Sequence, residues 1–229
     1  MINITPLVFL IVEDILGLNK LWGERFFRRV LHHLNNNSYN YNKTLWIQKM
    51  GDMLEEKDIN EILTLKLPDS NGINTKSPFL SNLVGGQYSK RSILYYNDFD
   101  DNIKYKLDNI GNNLKEKIQK YTDEKLELGD SDFRCVVLRY EGIDSNFPWH
   151  YDTEPETYFR SLTMIKKEGN ISNFIYKNKN HKNEIIKLQI NEGIFFKGSQ
   201  TYHSVDVCKD PKAVRWMLGF QYKPINKNT

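Results

Sequence analysis

The chain has 229 residues, a formal net charge of +3 and 39% hydrophobic residues, which is ordinary for a globular protein long enough to bury a core. That charge is too small to indicate nucleic-acid or membrane binding by itself. The two cysteines, Cys135 and Cys208, are not part of a paired motif, which argues against a zinc ribbon or a disulfide scaffold and fits a reducing compartment.

The N-terminal apolar run at positions 7–12 is short and is interrupted by Glu13 and Asp14. It is too short to span a bilayer, and it lacks the basic start of a signal peptide. We therefore expect no membrane segment and an intracellular location, either cytoplasmic or nuclear.

Residues 1–130 carry apolar residues at helical spacing. Three segments have this spacing, at positions 18–34, 51–65 and 103–121. The last is the clearest, and its stripe consists of Ile103, Leu107, Ile110, Leu114, Ile118 and Tyr121. The pattern predicts a helical N-terminal extension over residues 1–130 that packs on the rest of the chain as one folding unit. We expect a monomer.

From position 133 the pattern changes to short apolar or alternating runs separated by turn residues. The runs cover positions 133–140, 158–165, 173–176, 185–190, 194–197, 201–207 and 214–222. Several short strands at this spacing predict a sandwich or barrel. The fold class is therefore mainly β with α, and residues 131–229 form the core.

The tripeptide His150-Tyr151-Asp152 is the first candidate for chemistry. Alternate residues of a strand face the same side, so His150 and Asp152 can both point inward. His203, from the later predicted strand at 201–207, could be a third ligand. Two histidines and one carboxylate on one face of a metal leave open positions opposite, as in non-haem iron(II) oxygenases.

Arg215 lies twelve residues after His203, in the predicted strand at 214–222. Its neighbours are apolar, so a buried guanidinium there needs an anionic partner. The distal carboxylate of 2-oxoglutarate would match the two-pronged geometry of arginine.

Each residue also has an ordinary structural interpretation. His150 could be a core histidine, and Asp152 could cap a turn. His203 could lie on the surface of an edge strand, and Arg215 could pair with a structural acid. All four interpretations would have to hold together to remove the site.

The run YEGIDSNFPWHYDTEP, from Tyr140 to Pro155, resembles the metal-binding segment of Fe(II)/2-oxoglutarate dioxygenases. It is most similar to that of the AlkB-type nucleic-acid dealkylases, which carry a Tyr before an H-x-D-x-E motif. The run GSQTYHSV at 198–205, followed by Arg215, resembles the second half of the same site. The resemblance implies a double-stranded β-helix, a cupin-like jelly roll, with the helical part packed outside. It also implies that Tyr140 hydrogen-bonds 2-oxoglutarate.

The sequence departs from the AlkB pattern at three positions. Leu138 and Met217 stand where those enzymes often have Asn, and Gln221 stands where they have a second Arg. The segments at 137–141 and 148–152 also resemble prolyl-hydroxylase-type enzymes, although Ala213 stands where those normally have Lys.

The resemblance implies a dioxygenase that hydroxylates a C–H bond with Fe(II), 2-oxoglutarate and O2. AlkB-like demethylation of nucleic acid and prolyl- or lysyl-type protein hydroxylation are both open, as is a small metabolite as substrate. An alternative of another class is a non-catalytic jelly-roll binding module.

Two sets of side chains bear on the substrate. Four aromatic residues could line the substrate side or belong to the core: Trp149, Tyr151, Tyr158 and Phe196. Five basic residues could contact phosphates, but scattered cations are more often solvated: Arg25, Arg28, Arg29, Lys90 and Arg91.

Overall fold

The computed structural model describes residues 45–64, 91–152 and 154–225. These residues contain two helices, α1 (Glu56–Thr64) and α2 (Asp101–Ile118), three short 3-10 turns and eleven strands. The strands are β1 (Ile47–Met50), β2 (Ser92–Tyr95), β3 (Leu126–Leu128), β4 (Cys135–Glu141), β5 (Phe147–His150), β6 (Phe159–Glu168), β7 (Phe174–Lys177), β8 (Asn183–Ile186), β9 (Gly193–Phe196), β10 (His203–Val205) and β11 (Val214–Pro224).

The strands form two antiparallel sheets. The larger has seven strands in the order β1-β9-β6-β11-β4-β2, with β3 paired to β11, and the smaller has four in the order β5-β10-β7-β8. The sheets share one apolar cluster, in which Phe174 and Val205 of the smaller sheet join Leu138, Leu162 and Met217 of the larger. The predicted jelly-roll architecture, mainly β with α, is confirmed.

Strand β4 shows how the larger sheet is buried on both faces. Val136 and Leu138 belong to the cluster between the sheets, whereas Cys135 and Val137 belong to the cluster on the helical side. Successive side chains of a strand point to opposite faces, so a run of apolar residues without polar alternation fits a strand that is covered on both sides.

Helix α2 covers the outer face of the larger sheet. The Asp100 side chain accepts a hydrogen bond from the backbone N–H of Ile103 at 2.8 Å and caps the first turn. The predicted apolar stripe is confirmed for the buried residues Ile103, Leu107, Ile110, Leu114 and Ile118. Its last predicted member, Tyr121, lies beyond the helix in a 3-10 turn and is only partly buried. Gly111 sits where the helix approaches the sheet, and a Cβ there would lie 2.9 Å from Leu128 and Phe220.

Neither α1 nor α2, the helices among the described residues, could cross a membrane.

The first part of the chain differs from the predicted helical extension. The predicted helix at 18–34 lies outside the described residues, but β1, β2 and β3 precede residue 131 and pair within the larger sheet. A boundary at residue 130 would therefore divide strands of one sheet. These strands have only three or four residues, too few for a visible alternation. The strand predicted at 185–190 also differs from the structure, in which β8 begins two residues earlier and spans Asn183–Ile186.

Candidate metal centre

The two histidines come together because their strands are neighbours. Strands β5 and β10 pair antiparallel, and His203 lies directly opposite His150 in the register. Both face the interior, with exposed fractions of 3% for His150 and 5% for His203. Their ring centroids are 4.1 Å apart. The pairing of these two strands therefore brings together two histidines that are more than fifty positions apart in the sequence.

Backbone carbonyls determine which nitrogen of each ring can bind a metal. Nδ1 of His150 lies 2.7 Å from the Pro148 carbonyl oxygen, and Nδ1 of His203 lies 2.8 Å from that of Thr201. A carbonyl can only accept, so each Nδ1 carries the proton and donates. Nε2 of both rings is then left with its lone pair directed at the third candidate ligand, which is the arrangement of metal-binding histidines.

Asp152 supplies the third candidate ligand atom from just beyond the end of β5. Its backbone N–H donates to the Gly198 carbonyl at 3.0 Å, which holds the chain in place after the strand ends. Its Oδ1 lies 3.5 Å from Nε2 of His150 and 3.9 Å from Nε2 of His203. One ligand atom from each residue can be chosen so that all three lie within 4.8 Å of one another.

The ionisation of these groups also suits a divalent metal. Burial lowers the pKa of His203 and the Asp152 carboxylate opposes this only in part, so the imidazole is neutral. Burial alone would raise the pKa of Asp152, but the Arg160 guanidinium beside it favours the carboxylate and holds its pKa below its usual range. Neutral imidazole and ionised carboxylate are the forms that bind metal ions.

The stability of the metal-free protein should fall as the pH drops below about 6.5, the ordinary pKa of an unfolded histidine. Because the folded pKa of His203 is lowered, the unfolded chain takes up a proton that the folded protein does not. The stabilisation is complete above the unfolded pKa and is lost as the pH falls towards the folded one. In urea unfolding with a chelator at pH 7.5 and 5.5, His203→Asn should remove about 1 kcal/mol of the wild-type difference.

The matched control for this measurement is His181→Asn. His181 is exposed and has a φ of 62°, which asparagine tolerates. It should reproduce the wild-type pH dependence. Equal pH dependence in wild type and His203→Asn would contradict the role of burial at position 203.

Arg215 and Tyr140 lie on the inner face of the larger sheet, on adjacent strands. They are opposite each other in the pairing of β11 with β4, and the Arg215 guanidinium lies 4.8 Å from the Tyr140 ring centroid. Arg215 is 2% exposed, and its Nε and Nη1 have no hydrogen-bond partner among the described residues. Burial lowers the pKa of Arg215, with Tyr140 and Asp206 opposing the effect. A buried cation with free N–H groups fits an anionic ligand.

Sequence reasoning missed Arg160, which the structure places beside Asp152. Its Nε lies 3.3 Å from Oδ2 of Asp152, and its terminal Nη2 lies 2.6 Å from Oε2 of Glu154. Gln221 is its cross-strand neighbour on β11. The signal was available, because Arg160 sits in an apolar run, as Arg215 does.

The aromatic and basic residues that the sequence offers as substrate contacts lie in different parts of the structure. Trp149 and Tyr151 alternate with the histidine and aspartate and pack on Tyr202, with ring centroids 5.3 Å and 5.0 Å away. Phe196 is a fully buried core residue. Of the five candidate basic residues, Arg91 alone falls within the described part of the chain. Its guanidinium lies 3.2 Å from the ring centroid of Phe147. The Phe147 ring centroid in turn lies 3.9 Å from that of His150.

Comparison with known proteins shows similarity in structure alone. No protein-family model matches the sequence, and no curated protein is similar to it in sequence. The non-haem alpha-ketoglutarate-dependent epimerase SnoN from nogalamycin biosynthesis superposes with a TM-score of 0.55 at 10% identity, covering 78% of this chain and 77% of that chain.

Two further solved structures have similar scores. A prolyl hydroxylase from Trichoplax adhaerens gives a TM-score of 0.52 at 11% identity, with 78% of this chain and 84% of that chain covered. HygX from Streptomyces hygroscopicus, solved with nickel and 2-oxoglutarate bound, gives 0.51 at 11% identity, with 79% and 84% covered. At these identities the comparison establishes the fold, which the chain shares with these proteins.

Proposed function

We propose that this chain, which has the fold of 2-oxoglutarate-dependent oxygenases, is itself an iron(II)- and 2-oxoglutarate-dependent oxygenase that hydroxylates a C–H bond. The observation that carries the proposal is the convergence of His150, Asp152 and His203, whose candidate ligand atoms lie within 4.8 Å of one another. Two imidazoles and one carboxylate are the donor set of the non-haem iron(II) oxygenases, and they leave open positions on the metal.

Different residues would bind the iron and the 2-oxoglutarate. His150, Asp152 and His203 would hold the iron, with Nε2 of each imidazole already oriented by the carbonyl bonded to Nδ1. Arg215 would receive the distal carboxylate of 2-oxoglutarate through its free N–H groups, and Tyr140 lies beside it to add a hydrogen bond. When bound, iron and 2-oxoglutarate supply the oxidising chemistry with O2. The chain orients the reactants and excludes water.

Two substrate classes receive specific support. Nucleic-acid dealkylation is favoured by the resemblance of positions 140–155 to AlkB-type enzymes. Prolyl- or lysyl-type hydroxylation is favoured by the resemblance at 137–141 and by the similarity to a prolyl hydroxylase. Gln221 accepts a hydrogen bond from Ser131 and donates one to Glu154, each at 2.9 Å, which argues against its acting as the second cosubstrate-binding residue of the AlkB pattern. The intracellular location and the monomeric state stay predictions.

Thermal unfolding tests the cofactor assignment in two steps. Mn(II), a redox-stable substitute for Fe(II), should raise the unfolding midpoint of the wild type, and 2-oxoglutarate should raise it further when Mn(II) is present. Each ligand at a hundred times its Kd adds about 2.7 kcal/mol, which is roughly 5–10 °C for a domain of this size. Arg215→Gln should keep the Mn(II) shift and lose most of the 2-oxoglutarate shift.

The matched control is Arg139→Gln. Arg139 is on the same pair of strands but next to Trp216, with its guanidinium 4.4 Å from that ring. This variant should retain both shifts. A wild type that shows neither shift would favour the non-catalytic binding module. Succinate release with methylated oligonucleotides and with proline-containing peptides would then separate the two substrate classes.

A further inference from the structure

A second carboxylate lies buried beside the candidate metal centre. The Glu154 side chain is 2% exposed. Its Oε2 accepts hydrogen bonds from Arg160 at 2.6 Å and from Gln221 at 2.9 Å. Its Oε1 is also buried and has no hydrogen-bond partner among the described residues. The three-residue donor set does not include this carboxylate.

Arg160 stands between the two carboxylates. Its side chain is 7% exposed, with Nε 3.3 Å from Oδ2 of Asp152 and Nη2 2.6 Å from Oε2 of Glu154. One guanidinium therefore lies within ion-pair distance of both acids, but it is hydrogen-bonded to Glu154 and not to Asp152. The two oxygens of Asp152 therefore have different neighbours. Oδ1 faces the histidines, and Oδ2 faces Arg160.

Gly198 shows how close Glu154 comes to the ligand carboxylate. A Cβ at Gly198 would lie 2.7 Å from Cγ of Asp152 and 2.8 Å from Oε1 of Glu154. Both acids therefore lie against the same backbone atom.

We propose that Arg160 keeps Glu154 out of the metal's coordination sphere. The proposal rests on the proposed function. A carboxylate is a favoured ligand for a hard divalent ion, and a buried carboxylate without a cation is strongly destabilised. Without Arg160, the metal would be the nearest charge able to stabilise Glu154. A fourth protein ligand would occupy a position that a chelating diacid needs.

Arg160 and Glu154 are thus positioning residues, and their effect should appear in the ratio of two affinities. Arg160→Gln should bind Mn(II) at least as tightly as the wild type, because a neighbouring cation is removed and a carboxylate is released. The same variant should bind 2-oxoglutarate about tenfold more weakly, the lower end of what residues surrounding a metal site usually contribute. Visible spectra of the Co(II)-loaded protein should change with the added ligand.

The decisive variant is the double substitution Arg160→Gln with Glu154→Gln. It removes both the cation and the carboxylate that the cation restrains, so 2-oxoglutarate affinity and the Co(II) spectrum should return towards the wild type. A merely structural ion pair would give no such rescue. Affinity for Mn(II) is measured by electron paramagnetic resonance of the free ion, and 2-oxoglutarate affinity by titration of the Mn(II)-loaded protein.

Three results would overturn the proposal: loss of Mn(II) binding in Arg160→Gln, unchanged 2-oxoglutarate affinity in that variant, or absence of rescue in the double variant. If Arg160→Gln does not fold, Arg160→Met takes its place. Its long side chain keeps much of the packing but carries no charge, so it should show the same loss and the same rescue by Glu154→Gln. A wild type that binds neither Mn(II) nor 2-oxoglutarate would refute the proposed function instead. Arg139→Gln controls for the removal of an arginine.

Discussion

Asp152→Ala should abolish the stabilisation of the protein by Mn(II). The substitution removes the oxygen that lies 3.5 Å and 3.9 Å from Nε2 of the two histidines. It also leaves Arg160 next to the ligand position without its Asp152 counter-ion, so one cation would face another. The loss of affinity should exceed the roughly 10–100-fold that residues behind the ligands contribute. Equilibrium binding of Mn(II), with free metal measured directly, checks this.

The control for Asp152→Ala is Asp101→Ala, which removes a fully exposed carboxylate in the first turn of α2. That variant should bind Mn(II) with wild-type affinity. If Asp152→Ala retained tight binding while remaining folded, the three-ligand centre would be wrong. The 2-oxoglutarate shift should disappear together with the metal shift, because the keto acid is expected to bind through the ion.

Gly198→Ala is expected to have the second-largest effect, although it adds only one methyl group. The new Cβ would lie 2.7 Å from Cγ of Asp152 and 2.8 Å from Oε1 of Glu154, closer than packed atoms tolerate. The Gly198 carbonyl also accepts the Asp152 N–H at 3.0 Å, so neither backbone segment can move alone. The carboxylate must turn away from the histidines. We expect at least tenfold weaker Mn(II) binding, and about 1–3 kcal/mol less stability.

Gly51→Ala is the matched control, because a Cβ at Gly51 would meet nothing within 4 Å. It should leave both Mn(II) affinity and the unfolding midpoint near their wild-type values. Wild-type Mn(II) binding by Gly198→Ala would mean that the segment carrying Gly198 can retreat without disturbing Asp152. The close approach would then have no bearing on the metal centre.

Parts of the site could be predicted because local periodicity determines them. The alternation of a strand placed His150 and Asp152 on one side, although Asp152 lies beyond the end of β5. Arg215 was found because a lone arginine in an apolar run demands a partner. Arg160 meets the same condition in the run that forms β6, so the sequence marks both arginines in the same way.

Other features depend on contacts between distant positions and have no local signal. In the sequence, Gly198 is indistinguishable from other glycines in turns, because its contact with Asp152 forms only when the chain folds. The edge strands β1 and β2 are stabilised by β9 and β4, which lie far along the chain. By contrast, the apolar stripe of α2 repeats over about four turns, so the sequence predicts it without knowledge of its packing partner.

The pairing of β5 with β10 places the candidate metal ligands His150 and His203 in the smaller sheet, whereas Arg215 and Tyr140, the residues proposed to bind the diacid, lie in the larger one. Among the described strands, none belongs to both sheets, so the separation of these two groups of residues depends on the thickness of the apolar layer. Phe174 bridges that layer at the site, with its ring 5.1 Å from His203 and 5.6 Å from Phe196 of the larger sheet. The distance that the proposed diacid would have to bridge therefore depends on the size of the Phe174 ring. A smaller or larger side chain at position 174 should change the length of the diacid that fits.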